Sequence, residues 1–187
     1  MMVRTAMAAA VLVMASGCAT AHGEQAATQA DSGRYAAGAA PLVANLATAD
    51  GKQVGKALIR ETADGLVVSV TATAVPAGVH GVHIHAVGKC EAPDFTTAGG
   101  HWNPTAHQHG SLNPMGPHAG DLPNLTVAAD GTGSVSFTVP GAKLAQLLDA
   151  DGSAVVIHAA ADDLKTDPSG NSGARIACGV LGIPGNA

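Results

Sequence analysis

Leu66-Val67-Val68-Ser69-Val70-Thr71-Ala72-Thr73-Ala74 decides the fold class. Leu66, Val68, Val70, Ala72 and Ala74 alternate with Val67, Ser69, Thr71 and Thr73, the two-residue period of a strand with one face buried. Val135, Phe137 and Val139 alternate in the same way with Ser134, Ser136 and Thr138. Asp-Gly pairs at 50–51, 64–65, 130–131 and 151–152 mark tight turns between such runs. The spacing predicts about eight strands, at 41–48, 54–61, 66–74, 80–87, 122–129, 133–139, 154–159 and 174–181. There are 24 glycines and 10 prolines, only 12% of residues are charged, and no strand–helix–strand alternation is present. These features point to an all-β sandwich or barrel. Ala142–Leu148 reads as one or two helical turns with Leu144, Leu147 and Leu148 on one side.

The front of the chain carries an address. Arg4 and the apolar run Ala6–Ala15 have the charge and length of a secretory signal, and ten residues fall well short of a bilayer span. The run ends Ala15-Ser16-Gly17-Cys18, which resembles the lipobox of bacterial lipoproteins and would make an acylated Cys18 the first mature residue. Ala15 stands where leucine is usual, and Ala19-Thr20-Ala21 offers a competing cleavage site that would release a soluble protein. Residues 18–40 read as a flexible tether, with His22 solvated. The domain proper is 41–187. A net charge of −5, more negative once Arg4 is removed, excludes a nucleic-acid partner.

The chemistry lies between His83 and Asp121. On a strand, His83 and His85 share one face and Val82, Ile84 and Ala86 the other. The two imidazoles then project outward at a spacing that suits one metal ion. His80 has the opposite parity and reads as a turn or surface residue. Gly88–Asp121 is far longer than connections in compact domains and so reads as functional. It carries His101, His107, His109, His118 and Asp121. His158 ends another strand. Imidazoles with a carboxylate suit zinc, and imidazoles alone suit copper as well.

Gly81-Val82-His83-Ile84-His85-Ala86-Val87-Gly88 resembles the His-x-His strand of copper,zinc superoxide dismutases. Gly100-His101-Trp102-Asn103-Pro104 is similar to the family's bridging-histidine segment, and His109-Gly110 with Gly116-Pro117-His118-Ala119-Gly120-Asp121-Leu122-Pro123-Asn124 to its bacterial zinc loop. Val155-Val156-Ile157-His158 with Asp162-Asp163, and Gly173-Ala174-Arg175-Ile176-Ala177-Cys178-Gly179, complete the match over about 41–183. The resemblance implies a Greek-key barrel with long metal-binding and C-terminal loops, one copper and one zinc per subunit. It makes His83, His85, His101 and His158 copper ligands and His101, His109, His118 and Asp121 zinc ligands, with His101 bridging. Spacing leaves His107 open as a ligand, and the following Gly110 favours His109. Asp162 would link a copper histidine to a zinc histidine, and Asp163 reads as an ordinary surface acid. Arg175 would receive the substrate anion beside copper, and Cys90 and Cys178 would form the intrasubunit disulfide.

The implied activity is dismutation of superoxide to oxygen and hydrogen peroxide in an exported, periplasmic protein, membrane-anchored if Cys18 carries lipid. Arg175, with Lys89 or Lys165, would supply the local positive charge. The alternative is a periplasmic copper-binding or storage protein without turnover, which needs neither Arg175 nor a bridging His101. A zinc hydrolase needs an open water site and a general base, and no such arrangement appears. The sequence shows no distinctive interface segment and is compatible with a monomer or a dimer.

Overall fold

The structure is a computed structural model that describes residues 40–184. Strands β1 (Leu42–Ala47), β2 (Gln53–Thr62) and β3 (Gly65–Ala72) form an antiparallel meander. Then come β4 (Gly78–His80), β5 (Val82–His85), β6 (Leu125–Val127), β7 (Gly133–Pro140), β8 (Ala154–His158) and β9 (Arg175–Val180). The order across the sheet is β4-β6-β7-β3-β2-β1-β9-β8-β5, and every pairing is antiparallel. Its two ends, β4 and β5, are joined through Gly81, so the sheet curls into a nearly closed barrel. Because β3 lies beside β7 and β1 beside β9, the chain crosses the barrel ends in Greek-key fashion.

The alternating positions fill the interior. Leu66, Val68, Val70 and Ala72 of β3 are all at most 1% exposed and join Leu42, Leu46, Ile59, Val82, Ile84, Val155 and Ile157 in one core. The Asp-Gly turns use the freedom that glycine has at positive φ: +86° at Gly51, +84° at Gly131 and +67° at Gly152.

Three expectations are corrected. The strand expected at 80–87 is two short strands with different neighbours, β4 on β6 and β5 on β8, so the described residues hold nine strands. The chain changes partner at Gly81, whose N–H goes to Ala160 O and whose carbonyl takes the His158 N–H. A Cβ there would meet Ser172 Cβ at 2.9 Å, so glycine permits the close approach. The strand expected at 122–129 shrinks to Leu125–Val127, because Pro123 has no N–H for a ladder. The turns expected at 142–148 reduce to one 3-10 turn at Leu144–Gln146; Leu147 is fully buried, whereas Leu148 is 43% exposed.

Outside the barrel a second apolar cluster forms. Ala154 and Val156, on the outer face of β8, pack with Phe95, Ala98 and Cys178, and Cys90 closes over them. Cys90 and Cys178 are disulfide-bonded across 88 residues. Closing a loop of that length stabilises by at most about 4–5 kcal/mol in the chain-entropy account. It also fixes the segment whose carbonyls hold Arg175.

Candidate metal centre

Strand β5 sets the geometry. Val82 and Ile84 enter the core, so His83 and His85 point out of the barrel, as their parity predicts. They do not face solvent, however: His83 is 0% and His85 1% exposed. The long connection folds back over them. Its segments lie alongside β5, with His101 opposite His85 and Asp121 opposite His83. Ile84 N donates to Gly120 O (2.9 Å), and Trp102 N donates to Ile84 O (2.8 Å). Gly120 lets the three backbones meet, since a Cβ there would stand 3.0 Å from Trp102 N. His158, at the end of β8, completes the wall.

Two groups of donors result. One ligand atom from each of His83, His85, His101 and His158 lies within 4.8 Å of the others, and the same holds for His83, His101, His109 and Asp121. His118 belongs with the second group. Asp121 Oδ1 is 2.8 Å from His101 Nδ1, 3.1 Å from His109 Nδ1 and 3.1 Å from His118 Nδ1. Three imidazoles thus turn the same ring nitrogen toward one carboxylate oxygen. His107 stands apart and exposed, with Nδ1 donating to Pro117 O (3.1 Å).

The second nitrogen of each ring decides the tautomer. His83 Nε2 donates to Asp162 Oδ2 (2.7 Å) and His109 Nε2 to Asp162 Oδ1 (3.0 Å). His85 Nδ1 donates to Gly99 O (2.9 Å), and His158 Nδ1 to Gly173 O (3.2 Å). The opposite nitrogens of three rings, His83 Nδ1, His85 Nε2 and His158 Nε2, are buried with no hydrogen-bond partner, and the fourth, His109 Nδ1, faces Asp121 Oδ1 at 3.1 Å without hydrogen-bond alignment. The first three then carry a lone pair aimed into the cluster, and His109 Nδ1 gives up its proton when a metal binds. An unpaired buried polar group costs about 1–3 kcal/mol. Four gathered in one place fit a metal centre, which pairs them all.

Asp162 joins the two groups. Its backbone is clamped by Asn124, which donates to Asp162 O (2.8 Å) and accepts from Asp162 N (2.8 Å). Gly170, at φ +61°, makes room for the link: a Cβ there would lie 2.7 Å from His109 Nε2. Asp163 is more than a surface acid. It accepts from Lys165 N, Thr166 N, Thr166 Oγ1 and Asn171 Nδ2, staples the 159–174 loop, and is held down to about 2, chiefly by Thr166.

Electrostatics separates the histidines. Burial, reinforced by neighbouring cations, pushes His85 down to about 2 and His158 to about 3. Burial likewise takes His101 to about 4 against the pull of Asp121. These three rings are neutral at pH 7 and ready to donate a lone pair. Burial also opposes protonation of His109, but Asp121 and Asp162 outweigh it and raise the ring to about 9. The same contacts overcome the desolvation of Asp121 and Asp162 and hold both carboxyls well below the usual range.

A cavity of about 410 Å³ opens beside the four-histidine group, lined by His85, His101, His158, Ser169 and Arg175 among others. Arg175 donates to Phe95 O and Gly99 O, both at 2.7 Å. Gly99 O therefore serves Arg175 and His85 together. Lys89 and Lys165 are exposed and line none of it.

Sequence reasoning missed three side chains here. His80 is a buried prop, 4% exposed, with its ring nitrogens 2.8 Å from His158 O and 2.9 Å from Pro76 O. The break at Gly81 voids the parity count that placed it at the surface. Asn124 and Asp167 act through tertiary contacts, with no local sequence signal.

The copper/zinc superoxide dismutase profile matches residues 53–181. A superoxide dismutase-like protein of Bacillus subtilis is 50% identical over 144 residues, 73% of each chain. Copper-zinc superoxide dismutase 1 of Aquifex aeolicus is 42% identical over 144 residues, 74% of this chain and 85% of the relative. Among solved structures, the Bacillus subtilis SOD-like protein superposes with a TM-score of 0.70 at 47% identity, covering 74% of this chain and 97% of that one. The Brucella abortus Cu/Zn superoxide dismutase gives 0.63 at 32% identity, covering 76% and 99%. The chain belongs to the copper/zinc superoxide dismutase family.

Proposed function

We propose that this protein dismutates superoxide, converting two superoxide anions and two protons to one O2 and one hydrogen peroxide. The observation that carries the reading is the set of buried, partnerless ring nitrogens beside a cavity that also holds a guanidinium. His83 Nδ1, His85 Nε2, His158 Nε2 and His101 would hold copper. His101, His109 and His118 through Nδ1, with Asp121, would hold zinc. His83 is also near the zinc donors, but its one free nitrogen serves a single ion, and His118 completes the other set. Bound copper supplies one-electron redox chemistry, and zinc has none.

The remaining work belongs to the chain. Arg175, lowered by burial yet still cationic, draws the anion into the cavity. Its two carbonyl contacts hold the guanidinium at a fixed place beside His85. Asp121 stands 2.8 Å from His101 on the Nδ1 side, so Nε2 is the atom left to gain and release a proton during turnover. Asp162 locks His83 and His109 in the tautomers that the metals need. The disulfide supports export to an oxidising compartment. The signal sequence, Cys18 and most of the tether lie outside the described residues. We place the protein in the periplasm, anchored through a lipid on Cys18.

Metal analysis combined with a superoxide-consumption assay tests the reading. Copper and zinc near one each per chain, with consumption lost on chelation, are expected. Full metal occupancy without consumption would leave a copper-binding protein and overturn it.

A further inference from the structure

Each imidazole of the zinc set has a second ring nitrogen, and its partner decides how firmly the ring is held. His109 Nε2 has Asp162, and His101 Nε2 is left for the copper set. The third ring, His118, has Nδ1 toward Asp121, and its Nε2 lies 3.8 Å from Asp167 Oδ1. That oxygen also accepts the His109 backbone N–H at 2.6 Å. One carboxylate of the 159–174 loop thus touches both loop-borne zinc histidines, one through its backbone and one at its ring.

We infer that Asp167 is a positioning residue for zinc, the acceptor of the His118 Nε2–H that fixes this ring with Nδ1 toward the ion. The inference rests on the zinc set assigned above. Metal-bound imidazoles as a rule give their other N–H to a carboxylate, carbonyl or water, and the acceptor orients the ring and strengthens it as a ligand. At 3.8 Å the pair is too long for a hydrogen bond, and closing by ~1 Å makes one. Asp167 is already held at the correct end of the ring by the His109 N–H. Its side chain is 49% exposed, so the small swing needs no repacking of the core. Asp162 and Asp167 then act as a pair from one loop, each steadying one zinc imidazole.

The test uses the full-length protein, loaded with zinc for affinity and with cobalt(II) in its place for proton NMR. Asp167→Asn keeps an oxygen for the His109 N–H and removes the charge; Asp167→Ala removes both. In wild type, cobalt shifts the ring N–H signals of both His109 and His118, and both exchange slowly with solvent. In the Ala variant the His118 N–H should exchange fast while the His109 N–H, held by Asp162, stays protected. Zinc affinity measured against a competing chelator should fall about 10-fold in the Ala variant and less in the Asn variant. His118 N–H protection and zinc affinity unchanged in the Ala variant would overturn the inference. A wild type whose cobalt shifts no His118 signal would instead overturn the zinc assignment beneath it.

Discussion

Asp162→Asn probes the link between the two metal groups. The carboxylate accepts three N–H groups: His83 Nε2 at 2.7 Å on Oδ2, and His109 Nε2 at 3.0 Å and Leu164 N at 2.6 Å on Oδ1. An asparagine has one acceptor oxygen, so its amide must face a ring N–H on one side. The hydrogen bond lost is charge-assisted and buried, worth about 1.5–3 kcal/mol. That range agrees with the roughly 10–100-fold affinity loss typical for partners of metal ligands. Both ring contacts also lose the carboxylate charge, and the consequence should be larger for zinc. His83, His85 and His158 stand on β5 and β8, whereas His109 lies on an irregular segment held to the 159–174 loop by Asp162, Asp167 and the Leu112 N–H to Leu164 O (2.8 Å). Chelator competition on the purified variant should therefore show zinc affinity down 10–100-fold and copper affinity down less. Zinc affinity within twofold of wild type, or copper affected more than zinc, would refute the reasoning.

Arg175→Ala should lower the second-order rate with superoxide about 10-fold or more at low ionic strength while both metals stay bound. Arg175→Lys, which keeps the charge but lacks the planar fork for Phe95 O and Gly99 O, should fall between; loss of copper in either variant would contradict the role. For the metal-free protein, His85, His101 and His158 have folded values well below the ordinary 6.5. Their stability contribution is complete above pH 6.5 and is lost as pH falls toward the folded values, at up to ~1.4 kcal/mol per pH unit for each ring. His109, raised to about 9, works the other way: its contribution is complete below pH 6.5 and fades as pH rises through 9. Urea midpoints of the metal-free protein should drop steeply from pH 6.5 to 4.5, and a flat profile would contradict these environments. Cys18→Ser should move the protein from the membrane fraction to the soluble fraction, and wild type found already in the soluble fraction would contradict the anchor and favour cleavage after Ala21.

Much of the fold is legible because strand period and turn chemistry are local properties. Leu66 to Ala72 alternates in the sequence as it does in the barrel, and the Asp-Gly pairs at Gly51, Gly131 and Gly152 occupy turns. Parity correctly sends His83 and His85 away from the core. It cannot show that the Gly88–Asp121 connection folds back to bury them, because that depends on backbone bonds from Ile84 to Gly120 and Trp102. The split at Gly81 escapes the period for a related reason. Residues on either side keep a strand pattern, and only the third dimension shows β4 and β5 pairing with different neighbours. The histidine clusters are visible in composition, but the choice of nitrogen is not. It depends on acceptors such as Gly99 O and Gly173 O, which any residue type would supply.

On the proposed function, the inward-facing ring nitrogens are ligands of two different ions sharing one histidine. Anomalous diffraction at the copper and zinc edges, on crystals of the loaded protein, tests this most directly. The account predicts a copper peak in contact with His83 Nδ1, His85 Nε2, His158 Nε2 and His101 Nε2. It predicts a separate zinc peak in contact with Asp121 and with Nδ1 of His101, His109 and His118. A single peak, or copper among His109, His118 and Asp121 with the four-histidine group empty, would contradict it.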